Sequence, residues 1–219
     1  MKKKNSSIAN IWEIENYFYL NSDISRINKI ICHYEIFKKT LNIPGSIVEC
    51  GVFKGVSLIR FLNFRDLLKK NSKKIYGFDV FGKFPRQKIA RDNDFAKSHD
   101  SKIGIGLDVK ELNTCLKIKK FKNFKLIKGQ IEKTLPKFIE KNNKEKISFL
   151  HLDLDVYQPT KFSLEILYSK ISKGGIILID DYSRVHGATK ATNEFLKNKI
   201  HLKIETLKFN KKLKYIVKK

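Results

Sequence analysis

Short apolar runs of strand length alternate with segments of helical spacing through most of this chain. Five of these runs are rich in β-branched and aromatic residues, at positions 46–52, 74–80, 124–130, 146–153 and 173–181. Strands that alternate with helices favour a parallel sheet covered on both faces, and near-continuous apolar strands are typical of such sheets. The alternation predicts an α/β fold, with one domain over residues 1–219.

Helices are expected beside these strands, at positions 24–37, 58–68, 109–118, 135–141, 159–171 and 188–197. Ser22 or Asp23 can cap the helix at 24–37, and Thr134 can cap the helix at 135–141. Residues 1–44 then form a helical lead-in to the sheet. Beyond residue 200, two further strands joined by a turn at 210–212 predict a C-terminal antiparallel hairpin, which brings the sheet to seven strands.

The segment 81–107 differs from the rest of the chain because it is polar and shows neither strand nor helix periodicity. In a compact domain, a connection of this length is usually a lid, a binding loop or a disordered stretch. We expect a lid or substrate-binding loop here.

The composition is strongly basic, with 46 Lys and Arg against 22 Asp and Glu and a net charge of +24. The lysines are spread along the whole chain, and with the abundant Asn and Ile they suggest an AT-rich genome that fills solvated positions with lysine. An anionic small substrate, such as a nucleotide-linked sugar, and nucleic acid are the other two explanations. Charge alone does not separate the three.

Three cysteines without metal-ligand spacing or a disulfide framework indicate a reducing compartment. No signal peptide is recognisable, and no stretch reaches the roughly 20 apolar residues of a membrane span. We expect a cytoplasmic protein without an integral membrane segment.

The turn ECGVFKG follows the first strand, at the edge where parallel sheets bind ligands. Gly51 and Gly55 allow the backbone to approach a ligand, and the next helix offers free N–H groups. Alone, this pattern also fits a simple tight turn. Asp79, which ends the second strand, can bind ribose hydroxyls, and the pair indicates an adenosyl cofactor. The close glycine pair and the Walker lysine are missing, which favours S-adenosylmethionine over NAD.

Carboxylates also end the fourth and fifth strands. If these strands are neighbours, Asp153, Asp180 and Asp181 converge at one edge of the sheet. Carboxylates without His or Cys suit a hard, oxygen-binding cation such as Mg²⁺, which also removes their mutual repulsion.

The stretch HLDLDVYQPTKFSLEILYSKISKGGIILIDDY resembles the macrocin-type (TylF-like) O-methyltransferases. VECGVFKG, YGFDVFGKFP, GQIEKTLP and GATKATNEF match further blocks of that family in the same order, over roughly residues 45–197. The resemblance implies a Rossmann-like class I methyltransferase fold, with S-adenosylmethionine and Mg²⁺ as cofactors. It also implies methyl transfer to a sugar hydroxyl.

Carried over by position, the resemblance implies Asp153, Asp180 and Asp181 as metal ligands. It places the cofactor against Glu49, Gly51, Val52, Phe53, Gly55, Ser57, Asp79, Gln130 and Asp153. Within that set, Glu49, Gly51 and Ser57 would surround the methionine end. Asp79 would hold the ribose, and Gln130 would lie near the adenine.

The general base is left open, because Val156 occupies the position of the lysine base of the more distantly similar catechol O-methyltransferase. Candidate bases are Asp153, Asp155, His99 and His186. His151 is expected to point away from the metal ligand and to be structural. In GKFP (82–85) the family usually has an acidic residue and leucine, so the acceptor side is expected to differ.

The expected function is Mg²⁺-assisted methyl transfer to a sugar of a nucleotide, surface polysaccharide or natural product. An RNA methyltransferase, favoured only by the charge, and a non-catalytic scaffold are the alternatives. The expected partner is a small-molecule sugar acceptor rather than nucleic acid. The aromatic stretch 11–20 could pack on a second copy of the chain or across the site.

Overall fold

The computed structural model describes residues 10–197 and 199–219. Within them, seven strands form one sheet in the order β3-β2-β1-β4-β5-β7-β6. Their bounds are β1 Ser46–Cys50, β2 Ile75–Asp79, β3 Phe124–Lys128, β4 Ile147–Leu152, β5 Ile171–Ile179, β6 Ile204–Leu207 and β7 Asn210–Val217. Strands β1 to β5 pair in parallel, whereas β7 is antiparallel to both β5 and β6.

The helices connect these strands and precede them. Their bounds are α1 Ile11–Asn21, α2 Ile24–Lys39, α3 Val56–Leu67, α4 Ala90–Lys102, α5 Val109–Ile118, α6 Ile131–Lys141, α7 Tyr157–Leu167 and α8 His186–Lys197, with a 3₁₀ turn at Tyr168–Lys170. Helix α2 begins after Asp23, whose carboxylate accepts a hydrogen bond from the Ser25 N–H.

Alternate residues of each strand face opposite layers of helices. Ile47 and Phe149 pack with α2, α3 and α5 on one face of the sheet, and Val48 and Leu150 pack with α6, α7 and α8 on the other. The predicted fold, a mostly parallel seven-stranded sheet with helices on both faces and a C-terminal antiparallel hairpin, is confirmed.

Two local predictions are wrong. Thr134 does not cap a helix, because α6 already begins at Ile131 and the Thr134 hydroxyl donates back to the carbonyl of Gln130. The hairpin turn lies at 208–209 rather than at 210–212. Asn210 stays in β7 because its side chain accepts hydrogen bonds from two following backbone N–H groups and its amide contacts the sulfur of Cys32.

The segment 81–107 is not a structureless connection, since α4 fills about half of it. The helix has no apolar stripe in its sequence, and polar contacts attach it to the domain instead. Buried Asp92 accepts a hydrogen bond from the Tyr157 N–H at 2.8 Å, and the carboxylate of Asp100 accepts one from the Phe84 N–H. A search for apolar periodicity misses a helix held in this way.

Among the described residues, we find no helix whose length and apolar character would suffice to span a bilayer.

Gly51 connects the first strand to the edge where ligands are expected. Its φ is +92°, and a Cβ there would overlap the backbone carbonyl oxygen of Asp153. We expect Gly51→Ala to lower the free energy of unfolding by about 2 kcal/mol or more. The new Cβ would clash with the backbone of Asp153, and alanine is strained at a positive φ. At Gly82 a Cβ would meet no described atom within 4 Å. Gly82→Ala is therefore the matched control, and urea unfolding should show it close to wild type.

Candidate active site

The carboxyl ends of β1, β4 and β5 place the acidic residues side by side. The Asp153 N–H donates to the carbonyl of Cys50 at 2.9 Å, and the Asp180 N–H donates to the carbonyl of Leu152 at 3.0 Å. These bonds continue the parallel pairing by one residue beyond each strand. Asp153 and Asp180 are consequently neighbours at the edge of the sheet, as the sequence predicts.

A cluster of three carboxylates lies at this edge. One oxygen each of Asp153, Asp155 and Asp181 lies within 4.8 Å of the others. The Asp155 N–H also donates to Oδ2 of Asp181 at 3.2 Å. Asp155 has a left-handed backbone with a φ of +60°, a conformation that Asp and Asn tolerate better than most residues. We call these three residues the acidic cluster.

Burial and mutual repulsion raise the pKa of every member of the acidic cluster. Burial is the larger cause, and the neighbouring carboxylates add to it for Asp153 and Asp181, whose pKa values lie well above the usual range. Burial, followed by Asp153 and Asp180, raises the pKa of Asp155 to about 7. Converging oxygens that resist ionisation fit a hard divalent cation, which would stabilise their charged forms.

Asp180 is placed differently from the acidic cluster. Its Oδ2 forms a 2.7 Å salt bridge with the ammonium of Lys29 on α2, while Oδ1 lies 3.7 Å from Nε2 of His33 and 3.9 Å from Nε2 of His151. Burial alone would raise the pKa of Asp180, but His151, His33 and Lys29 hold it well below the usual range. Both oxygens of Asp180 are therefore turned towards basic groups.

His151 does not point away from the predicted metal ligands. Asp153 comes two residues after His151, and side chains two apart along a strand share a face. Both side chains therefore lie on the same face of the sheet. Nδ1 of His151 is 2.8 Å from Oε1 of Glu49, and the side chains of His151 and Glu49 are fully buried. Burial lowers the pKa of His151, but Asp180 and Glu49 outweigh it and raise the pKa to about 10.

Asp79 organises the turn after β1. Its Oδ2 accepts hydrogen bonds from the N–H groups of Val52 and Phe53, and its Oδ1 accepts one from the N–H of Phe81. A carboxylate offers about four acceptor positions, and these bonds use three of them. Asp79 keeps acceptor capacity towards the cleft, which it lines, and its binding of the ribose stays a prediction.

A cleft of about 750 Å³ lies along this edge of the sheet. Of the predicted site residues, those that line it are Gly51, Phe53, Asp79, His99, Gln130, Asp153 and Asp155. The others are buried and do not line it: Glu49, Val52, Gly55, Ser57, Asp180 and Asp181. The cleft thus joins the glycine turn to two members of the acidic cluster, Asp153 and Asp155.

The two candidate histidine bases are separated by the fold. His99 on α4 lines the cleft between the rings of Phe53 and Phe84, at centroid distances of 5.2 and 5.7 Å. His186 is exposed at the start of α8 and does not line the cleft. His99 therefore remains a candidate general base, whereas His186 lies outside the cleft and does not.

The sequence interpretation missed the basic residues of the cleft. Arg26 and Lys29, one turn apart on α2, line it together with Arg86 and Lys88 from the segment before α4. The three-residue spacing of Arg26 and Lys29 places both on one face of α2 and was a usable signal. Nothing local, however, links that helix to strands more than a hundred residues later.

Comparison with known proteins agrees with this architecture. The model of the macrocin-O-methyltransferase (TylF) family matches residues 26–210. The chain belongs to this family. A demethyldecarbamoylnovobiocin O-methyltransferase of Streptomyces niveus is 24% identical over 161 residues, which cover 70% of this chain and 59% of the relative. A mycinamicin III 3''-O-methyltransferase of Micromonospora griseorubida is 24% identical over 159 residues, 70% of this chain and 61% of the relative.

The chain thus spans about 60% of the length of these curated relatives. Solved methyltransferase structures share the fold. The O-methyltransferase NovP superposes with a TM-score of 0.76 at 21% identity, covering 88% of this chain and 80% of that one. The calicheamicin methyltransferase CalS11 gives 0.71 at 20% identity, with 97% and 87% covered.

The acidic cluster predicts a pH-dependent cost to stability when divalent cations are chelated. The folded pKa of Asp155 is about 7, against about 3.9 in an unfolded chain, so the folded state loses stability as the pH rises between these values. Asp155→Asn removes this contribution and should raise the free energy of unfolding at pH 8 by about 1–2 kcal/mol. The measurement is urea unfolding in EDTA from pH 5 to pH 8.

The exposed Asp94→Asn variant on α4 is the control and should keep the wild-type pH profile. If Asp155→Asn leaves the difference in stability between pH 5 and pH 8 unchanged, the pKa of Asp155 is not raised in the folded protein.

Proposed function

We propose that this family member is an S-adenosylmethionine-dependent O-methyltransferase that methylates a sugar hydroxyl with the help of Mg²⁺. The observation that carries the proposal is the cleft that joins the glycine turn at Gly51 to the oxygen-only acidic cluster. Both curated relatives are O-methyltransferases.

The residues divide the work between two ends of the cleft. When bound, Mg²⁺ supplies positive charge that favours ionisation of an acceptor hydroxyl, and S-adenosylmethionine supplies the methyl group. Asp153, Asp180 and Asp181 would hold the cation, while Gly51, Phe53 and Asp79 would position the cofactor. These groups act mainly by orientation, which brings the acceptor oxygen into line with the methyl group.

Asp155 is the favoured general base. It lines the cleft beside Asp153, so its carboxylate can take the proton at the acceptor hydroxyl. His99, on the aromatic side of the cleft, is the second candidate for this role.

The acceptor is proposed to carry an anionic group, and a nucleotide-linked sugar fits best. Arg26, Arg86 and Lys88 line the same cleft as Asp153 and Asp155, and guanidinium groups bind phosphates in a bidentate manner. A structural relative of 22% identity is described as a TDP-rhamnose 3'-O-methyltransferase. The rest of the lysine-rich surface needs no partner under this proposal.

Loss of a cluster carboxylate should stop turnover without removing the cofactor. We expect Asp153→Asn and Asp181→Asn each to lower methyl transfer to nucleotide sugars by about a hundredfold or more, because each removes a charged ligand. Binding of S-adenosylhomocysteine, measured by calorimetry in EDTA, should change by less than about tenfold. The assay follows transfer of a labelled methyl group with Mg²⁺ and with EDTA, and Asp94→Asn is the active control. Full activity in EDTA would rule out the metal-assisted mechanism.

A further inference from the structure

A buried chain of alternating charges extends from the glycine turn to the acidic cluster. Glu49 lies beside His151, His151 lies beside Asp180, and Asp180 forms a salt bridge with Lys29. Glu49 and His151 have no exposed side-chain surface, and the side chain of Asp180 is 5% exposed. Carboxylates and basic side chains thus alternate along this series, and Lys29 forms its end at the cleft.

Among these four residues, Lys29 has the most exposed side chain, so it can move away from Asp180 without disturbing the core. Its side chain is 26% exposed and lines the cleft. Burial lowers the pKa of Lys29, but Asp153, Asp180 and Asp181 more than reverse this. Its ammonium therefore acts on the acidic cluster as well as on its direct partner, and its positive charge occupies the neighbourhood where a divalent cation is expected.

The other basic groups around Asp180 are fixed in place. His33, on α2, is fully buried and stacks on Phe61 at 5.2 Å between ring centroids, and it contacts His151 edge-on. Burial lowers the pKa of His33 to about 4. Oδ1 of Asp180 thus faces two buried imidazoles, whereas Oδ2 faces the partly exposed ammonium of Lys29.

We propose that Lys29 is a built-in competitor for the divalent cation: its ammonium holds Oδ2 of Asp180, and a cation that takes Asp180 as a ligand must displace it. The inference rests on the metal site of the proposed function and adds an exchange to it. Lys29 offsets the negative charge of the acidic edge, and metal loading releases the salt bridge between Lys29 and Asp180. Two cations beside one carboxylate oxygen repel each other, so each binds that oxygen more weakly when the other is present.

The test is Mn²⁺ binding to the full chain, measured by calorimetry and by the electron paramagnetic resonance signal of free Mn²⁺. Lys29→Met removes the ammonium and keeps the length of the side chain. It should lower the Kd of Mn²⁺ by about tenfold or more. Lys133→Met, which removes another lysine of the same cleft, should change the Kd by less than about threefold. Adding Asp180→Asn to Lys29→Met should abolish the gain.

A second measurement uses only the wild-type chain, in case a variant folds poorly. Acetylation of Lys29 by acetic anhydride, followed by peptide mass spectrometry, should increase several-fold when Mn²⁺ saturates the site. The exposed Lys110 should react equally with and without the ion.

The outcomes separate this inference from the proposed function. Normal Mn²⁺ binding by wild type with an unchanged or higher Kd in Lys29→Met overturns the competition, and the metal site survives. Unchanged reactivity of Lys29 on saturation has the same meaning. If wild type binds no Mn²⁺ at all, the metal part of the proposed function and this inference both fail.

Discussion

Repulsion between carboxylates held at one edge of the sheet is the constraint on which the site depends. Asp153, Asp155 and Asp181 bring oxygens within 4.8 Å of one another, with Asp180 beside them. Such an arrangement is costly unless positive charge lies close by. The fold supplies part of that charge from α2 and β4, through Lys29 and His151, and leaves a group of oxygens open to the cleft.

The sheet order explains why these groups meet. Because β1, β4 and β5 are neighbours, Glu49, His151 and Asp180 lie on adjacent strands, and all three face the α2 and α3 layer. The same edge carries the glycine turn, which Asp79 fixes through the backbone N–H groups of Val52 and Phe53. Supporting charges are therefore buried beneath the sheet edge, and the proposed reacting groups line the cleft above them.

The strand pattern of the sequence was sufficient to predict the sheet and its acidic edge, because Asp153 and Asp180 each follow a long apolar run. It was not sufficient for the partners of those residues. The contact of His151 with Asp180 follows from the register of β4 against β5, and Lys29 lies 151 residues from Asp180 along the chain. Helix α4 was missed because polar contacts of Asp92 and Asp100 hold it where an apolar stripe would normally do so.

One cleft is proposed to join a cofactor turn to an acidic cation site. A crystal structure of the full chain grown with S-adenosylhomocysteine and Mn²⁺, with anomalous data collected at the manganese edge, tests this proposal. We expect an anomalous peak within bonding distance of carboxylate oxygens of Asp153 and Asp181, and a nucleoside lying against Gly51 and Asp79. A saturated crystal with no peak at the acidic cluster, or with the nucleoside bound outside the cleft, would contradict it.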